Sequence, residues 1–260
     1  MFRRVVIVQA RMASRRLPGK VLCEVAGRSL LDWQLSRLRR CRQVDDIWVA
    51  TTEGAGDEPI AAWAQAAGVT CFRGAADDVL ARYVAAAAAA RAEVVVRITA
   101  DCPLVDPQVV DRVVSELTSH AADCDYASNV LARTFPRGLD VEAFWVDVLH
   151  RLDRLAGTPE SREHVTVAVR SERPEVFLRR NVRDDVDNSD LRWTVDAPAD
   201  LEFLTALHAA MDLRDAGWNY RDLVRAIRAN PQLRALNSSC QTWDPISLPA
   251  RAAQRGGTAA

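Results

Sequence analysis

The chain is expected to be an α/β protein built on a mostly parallel, mixed sheet, and three observations lead there. Short β-branched runs alternate with helical patterns through the first half, the order that builds a parallel sheet with right-handed crossovers. A length of 260 residues suits one large α/β domain better than two. Hydrophobic residues at 49% and charged residues at 27% fall in the ordinary globular range and leave no reason to expect a disordered or fibrous chain.

The elements follow in order. Val5 to Val8 is a β-branched run suited to a strand buried on both faces. Ser29 is placed to cap a helix running to about Cys41, with Leu30, Leu31, Leu35 and Leu38 at helical spacing. Ile47 to Ala50 is a second strand. Asp57 opens a helix through Ala67, which Gly68 stops. Val69 to Phe72 is a third strand, and Asp77 begins a helix through the alanine run Ala85 to Ala90. Val94 to Ile98 is a fourth strand, and Pro107 starts the next helix.

The second half is less regular. Tyr126 to Ser128, Val141 to Trp145 and Leu191 to Val195 read as strands, the last ending at Asp196. Ser161 to Arg170, Ala199 to Met211 and Tyr220 to Ala229 read as helices. Residues 1–235 are expected to form a single domain. Residues 236–260 are expected to form a tail, disordered over Arg251 to Ala260.

Charge and cysteines exclude several classes. A net charge of -1 supplies no field to recruit nucleic acid or an anionic membrane, so an anionic ligand needs a local basic site. Six scattered cysteines, with no C-x-x-C pair and no Cys/His cluster at zinc spacing, read as reduced thiols in a cytoplasmic protein. No signal peptide is expected, and no stretch approaches the ~20 apolar residues of a membrane span. Lys20 is the single lysine among 34 basic residues. A compact ammonium is not replaced by a guanidinium in a tight phosphate site, although an isolated surface lysine is the alternative.

In open α/β sheets, ligands bind beyond the carboxyl ends of the strands. After the first strand, Arg11 to Lys20 holds three arginines, Gly19 and the lone lysine within ten residues. It is neither a Walker A loop nor a G-x-G-x-x-G turn. A basic loop at that position can wrap a triphosphate with backbone N–H groups and cations. After the fourth strand comes Asp101-Cys102-Pro103, and the same D-x-P spacing recurs at Asp196-Ala197-Pro198. Two aspartates at strand ends can share one or two Mg²⁺ ions that also bind substrate phosphates. For Asp196 a helix cap is the alternative.

Six segments in order carry a resemblance. They are S-x-R-L-P-G-K at Ser14 to Lys20, Phe72 to Tyr83, Arg97 to Pro103, Pro136 to Glu142, Arg162 to Thr166 and Arg192 to Leu201. Together, across about Val5 to Leu204, the chain resembles the cytidylyltransferase family of the CMP-sialic acid and CMP-Kdo synthetases. The nearest branch is that of the spore coat polysaccharide biosynthesis proteins (SpsF-like). The resemblance implies a Rossmann-like nucleotidyltransferase sandwich of three layers, with an excursion at about 130–145 that helps make a homodimer.

The resemblance also implies CTP as donor, Mg²⁺ as cofactor, a small anionic acceptor, and attack on the α-phosphorus with loss of pyrophosphate. Lys20, Arg11 and Asp101 become the catalytic set. Arg11, Ser14, Arg16, Gly19, Lys20, Arg73, Asp78, Arg82 and Thr99 become nucleotide-binding, and Asp101 and Asp196 the metal ligands. Asn129, Arg137, Asp140, Glu142, Arg162 and His164 face the acceptor. The family's loop usually reads G-S-T-R, where this chain has Ala13-Ser14-Arg15-Arg16.

Two acceptor classes are open: a 2-keto sugar acid or related sugar, and a phosphonate in natural-product biosynthesis. Two other functions stand against both. One is a glycosyltransferase using Asp123-Cys124-Asp125 as a metal motif, although the short match reads more simply as a turn before a strand. The other is a nucleotide-binding protein without turnover. His120, His150 and His208 read as ordinary helix or surface histidines, and the seven tryptophans as packing residues.

Overall fold

The run from Val5 to Val8 is apolar on both faces, and it becomes the strand about which the sheet is built. The structure, a computed structural model, describes residues 2–214 and 217–240. Among them the strands are β1 (Arg4–Gln9), β2 (Glu24–Val25), β3 (Arg28–Ser29), β4 (Asp46–Thr52), β5 (Thr70–Gly74), β6 (Val94–Thr99), β7 (Tyr126–Ser128), β8 (Glu142–Trp145) and β9 (Arg179–Asn181). Seven of these form one sheet in the order β5–β4–β1–β6–β8–β7–β9, while β2 and β3 make a separate hairpin. β5, β4, β1 and β6 are parallel, β8 is antiparallel to both β6 and β7, and β9 is parallel to β7.

The helices are α1 (Leu30–Leu38), α2 (Glu58–Ala66), α3 (Val79–Ala89), α4 (Pro107–Ser119), α5 (Val146–Leu155), α6 (Pro159–His164), α7 (Pro198–Ala210), α8 (Tyr220–Ala229) and α9 (Pro231–Ala235). The two-residue period of the strands sorts side chains into two cores. Val6, Val8, Val94, Val96 and Ile98 join α1, α4, α7 and α8 on one face. Val5, Ile7 and Val95 join α3 and α5 on the other. The α/β reading is therefore correct, and the layers are helix, sheet, helix.

Local chemistry sets the helix starts. Ser29 Oγ accepts the Asp32 N–H at 3.1 Å while Asp32 accepts the Ser29 N–H at 3.2 Å. This reciprocal cap is worth about 1 kcal/mol. The helix stops at Leu38, short of the expected Cys41. Asp78, not Asp77, caps α3 by accepting the Ala81 N–H at 2.8 Å.

Three expectations of the second half change. Leu191 to Val195 is extended but is no strand: its only bridge pairs Arg192 with Arg137, and Val195 donates instead to the Asp101 carbonyl at 2.8 Å. The segment spans two loops rather than lying along a neighbouring strand. The helix expected over Ser161 to Arg170 breaks at Val165, whose φ of 56° is left-handed, and a short π-helical turn follows at Ala168–Glu172. Within the stretch from 130 to 145, Phe135, Leu139 and Val141 are core residues. Past Asn230 the chain forms α9, and Asn237, placed by sequence in the tail, is buried. The tail expectation for 251–260 lies outside the described residues.

Candidate active site

The carboxyl ends of β1 and β6 lie side by side, with Gln9 opposite Thr99 in the register. The loops that follow them, Arg11 to Lys20 and Asp101 to Pro103, therefore meet at one edge. Gly19 turns the first loop with φ of 70°, a left-handed conformation open to glycine at little cost. The Met12 carbonyl closes the loop by accepting N–H groups from Ser14 at 2.8 Å and Gly19 at 2.9 Å.

Lys20 enters the crevice at the start of a 3₁₀ turn and is nearly buried, 9% exposed. Its Nζ lies 3.1 Å from Asp101 Oδ2 and 2.6 Å from Asp196 Oδ1. Burial alone would lower the ammonium's pKa, but the two carboxylates raise it above its ordinary value. Asp101 shows the opposite balance: burial would raise it, while Lys20 and a 2.6 Å bond from Thr99 Oγ1 hold it below the usual carboxylate range. Lys20 thus stands between the two carboxylates.

Asp196 is not a helix cap. Its Oδ2 faces Arg16 at 3.2 Å and Arg192 at 3.3 Å. The work of holding the chain turn falls to Asp200, whose Oδ2 accepts the N–H groups of Asp196 at 2.9 Å and Ala197 at 3.0 Å. Arg192 binds Asp200 through Nε at 2.8 Å and Nη2 at 2.9 Å, and the Asn237 amide adds a bond to Asp200 at 3.0 Å. Asp200 and Asn237 carried no role in the sequence. Asp200 had a weak signal, an acidic residue three places after a helix entry, and Asn237 had none.

Asp57 was read as a helix start. It does stand at the N-cap of α2, yet it makes no side-chain cap bond there. Its carboxylate binds the Met12 N–H and the end of β4 instead. Arg73 donates to the carbonyls of Thr52, Glu53 and Gly54 and pairs with Glu58. Arg82 is buried and donates to the Ala75 carbonyl. With Asp78 on α3, these residues shape the walls at the ends of β4 and β5.

The residues expected on the acceptor side divide. Asn129, fully buried, donates to the Leu139 carbonyl at 2.6 Å and accepts the Val141 N–H at 2.9 Å, closing its own loop. Asp140 is held by Arg133 at 2.6 and 2.8 Å. Glu142 pairs with Arg97 across β6 and β8 and accepts from Tyr126 at 2.6 Å. Burial would raise Glu142, but Arg97 and Arg170 keep it below its ordinary value. Asn129 and Glu142 are committed inside the protein, whereas the Asp140 side chain is 30% exposed. Arg162 faces Asp78 and Asp153, at the start of α3 and on α5.

Arg137 stands beside Gly138, where any Cβ would lie 2.6 Å from the Thr194 backbone nitrogen, so a glycine is required for the close approach to the Arg192 segment. His164 ends α6 next to Glu163, which pairs with Arg11 at 3.0 Å and so places this turn beside the basic loop. Burial pushes the His164 imidazole below its ordinary value; Glu163 opposes the shift and Arg97 adds to it.

Among the described residues no group of three or more His, Cys, Asp or Glu side chains is arranged to hold a metal. The donors present are the two carboxylates that Lys20 Nζ bridges. That set fits Mg²⁺, which takes one or two protein carboxylates and fills its shell with water and phosphate oxygens. Asp123 and Asp125, by contrast, are occupied by Arg180 and Arg151, and Asp125 also accepts the Leu178 N–H. Among the described residues, no helix is long and apolar enough to cross a membrane.

Comparison with known proteins identifies the family. A family model described as cytidylyltransferase matches residues 5–209. An uncharacterized protein of Methanocaldococcus jannaschii is 32% identical over 235 residues, covering 90% of this chain and 93% of that protein. The spore coat polysaccharide biosynthesis protein SpsF of Bacillus subtilis is 30% identical over 217 residues, covering 78% of this chain and 85% of that protein. The solved structure of a cytidylyltransferase from Leptospira borgpetersenii superposes with a TM-score of 0.86 at 31% identity, over 94% of this chain and 100% of that one.

Proposed function

The chain belongs to the cytidylyltransferase family, and from that premise we propose that it transfers CMP from CTP to a 2-keto sugar acid or related sugar, releasing pyrophosphate. The observation that carries the reading is the Lys20 ammonium between Asp101 and Asp196, at the mouth of a loop bearing Arg11 and Arg16. Positive charge on one wall suits a triphosphate, and paired carboxylates suit the cation that accompanies it.

Asp101 and Asp196 would hold Mg²⁺, which supplies positive charge to a substrate whose reacting groups repel each other. The chain's own groups do the rest. Arg11, Arg16 and Lys20 bind the phosphates and offset charge on the departing pyrophosphate. An acceptor hydroxyl must lose its proton as its oxygen bonds the α-phosphorus and the bond to the β-phosphate oxygen breaks. His164, whose imidazole burial pushes below its ordinary pKa beside the basic loop, accepts that proton. The relative SpsF carries polysaccharide biosynthesis in its name, which supports a sugar acceptor, and the protein is proposed to act in the cytoplasm as a homodimer.

The test is pyrophosphate release from CTP with Mg²⁺ across a panel of sugar acids, phosphorylated sugars and phosphonates. Turnover with a sugar acid supports the reading. Turnover with a phosphonate alone replaces the acceptor class, and an already ionised oxygen would then leave His164 without a proton to take.

A further inference from the structure

Asp57 ends a 3₁₀ turn, Ala55–Asp57, that runs directly into α2, and its carboxylate makes no bond to the first turn of that helix. It is 4% exposed, and both its oxygens are bonded to groups outside α2. Oδ1 accepts the Met12 N–H at 2.7 Å. Oδ2 accepts Thr51 Oγ1 at 3.0 Å, the Thr52 N–H at 3.1 Å and Thr52 Oγ1 at 2.6 Å.

Met12 is the hub of the basic loop. Its carbonyl accepts the N–H groups of Ser14 and Gly19, so it already fixes where the loop closes. With its N–H held by Asp57, both polar groups of the residue between Arg11 and Ala13 are anchored, one to the end of β4 and one to the loop's own return. A buried carboxylate near a loop that must take a polyanion is an electrostatic cost. Burial would also raise its pKa, and the donors from Met12 and the two threonines overcome that.

We propose that Asp57 is a positioning residue for CTP: it orients the Arg11–Lys20 loop through the Met12 N–H and does not touch the nucleotide. The assignment rests on the reading of that loop as the triphosphate cradle. It predicts a binding defect confined to the phosphates, which the base and acceptor do not modify.

The experiment compares binding of CTP and of inorganic tripolyphosphate to the wild-type protein and three variants by calorimetry, with melting temperature recorded for each. Asp57→Ala is expected to weaken both ligands by the same factor, on the order of 10-fold to 100-fold, the scale of a small misplacement of binding groups. Asp57→Asn keeps the shape but has one acceptor oxygen to divide between Met12 and Thr52, so it weakens both ligands severalfold and recovers part of the loss. Thr51→Val removes one bond to Oδ2 and leaves the Met12 contact, so it lowers the melting temperature without changing either affinity.

Unchanged affinity in a folded Asp57 variant overturns the assignment. So does an equal loss in Thr51→Val, which would mean general stability rather than loop placement. A wild-type protein that binds tripolyphosphate but not CTP sinks the cytidine reading and leaves this one standing. One that binds neither sinks the cradle and Asp57's role with it.

Discussion

Lys20 Nζ lies 2.6 Å from Asp196 Oδ1, the shortest contact it makes, across 176 positions of sequence. With Asp101 on its other side at 3.1 Å, the ammonium stands where the two carboxylates converge. The chain's single lysine is therefore an internal counter-ion for the pair proposed to hold a divalent cation.

That placement makes Lys20 a competitor of the metal when no nucleotide is present. Lys20→Met is expected to bind Mn²⁺ alone on the order of 10-fold more tightly than wild type, since a like charge at this range shifts such equilibria by a factor of ten or more. Electron paramagnetic resonance of free Mn²⁺ measures it. The melting temperature of Lys20→Met should fall and be restored by Mg²⁺, whereas wild type responds little. Equal Mn²⁺ affinity in both proteins would rule out the competition.

Asp101→Asn keeps the shape and the Thr99 contact but removes one anion. Turnover should fall on the order of 10²-fold to 10³-fold, the scale of losing one preorganised charge interaction at the transition state. Folding should be little changed, because the side chain is partly exposed to the crevice. Pyrophosphate release and a denaturation curve together check this, and near-wild-type turnover would remove Asp101 from the metal site.

Arg192 and Asp200 form the buried pair behind Asp196. Asp200→Ala leaves the guanidinium without its main partner and should cost about 3–5 kcal/mol of stability. Burial would raise the Asp200 carboxyl, but the Arg192 bonds and the N–H groups of Asp196 and Ala197 bring it below its ordinary value. A depressed folded-state pKa means stability that is present at neutral pH and lost as pH falls through the folded value. Urea denaturation at a series of acidic pH values should therefore show a steeper loss in wild type than in Asp200→Asn.

His164 has a folded pKa below its ordinary value, so the neutral, proton-accepting form persists to lower pH than in an exposed histidine. With a hydroxyl acceptor, kcat/KM should fall as pH drops through that lowered value. His164→Gln should flatten this acid limb and reduce kcat on the order of 10²-fold. A His164→Gln variant that keeps the wild-type profile would assign the proton to another group or make the acceptor an already ionised oxygen.

Local features of the sequence were sufficient for much of the fold. β1, β4 and β6 follow from their apolar, β-branched runs, and the start of α1 from Ser29 as its cap. The basic loop and the D-x-P aspartates were legible because each is a contiguous string in the sequence. Leu191 to Val195 misled because a β-branched, aromatic string has strand propensity whether or not a neighbouring strand is there to pair with it.

What the sequence by itself determined was the order of elements and the residue types gathered at their ends, since periodicity and capping act over a few neighbouring positions. Tertiary structure decided the partners. Asp57 turns from its own helix to Met12, Asp200 takes the backbone turn that frees Asp196 for Lys20, and Glu142 goes inside to Arg97. The physical reason is that a carboxylate's partner is whichever donor the folded backbone brings within about 3 Å, and here those donors arrive from strands and loops far away in the chain.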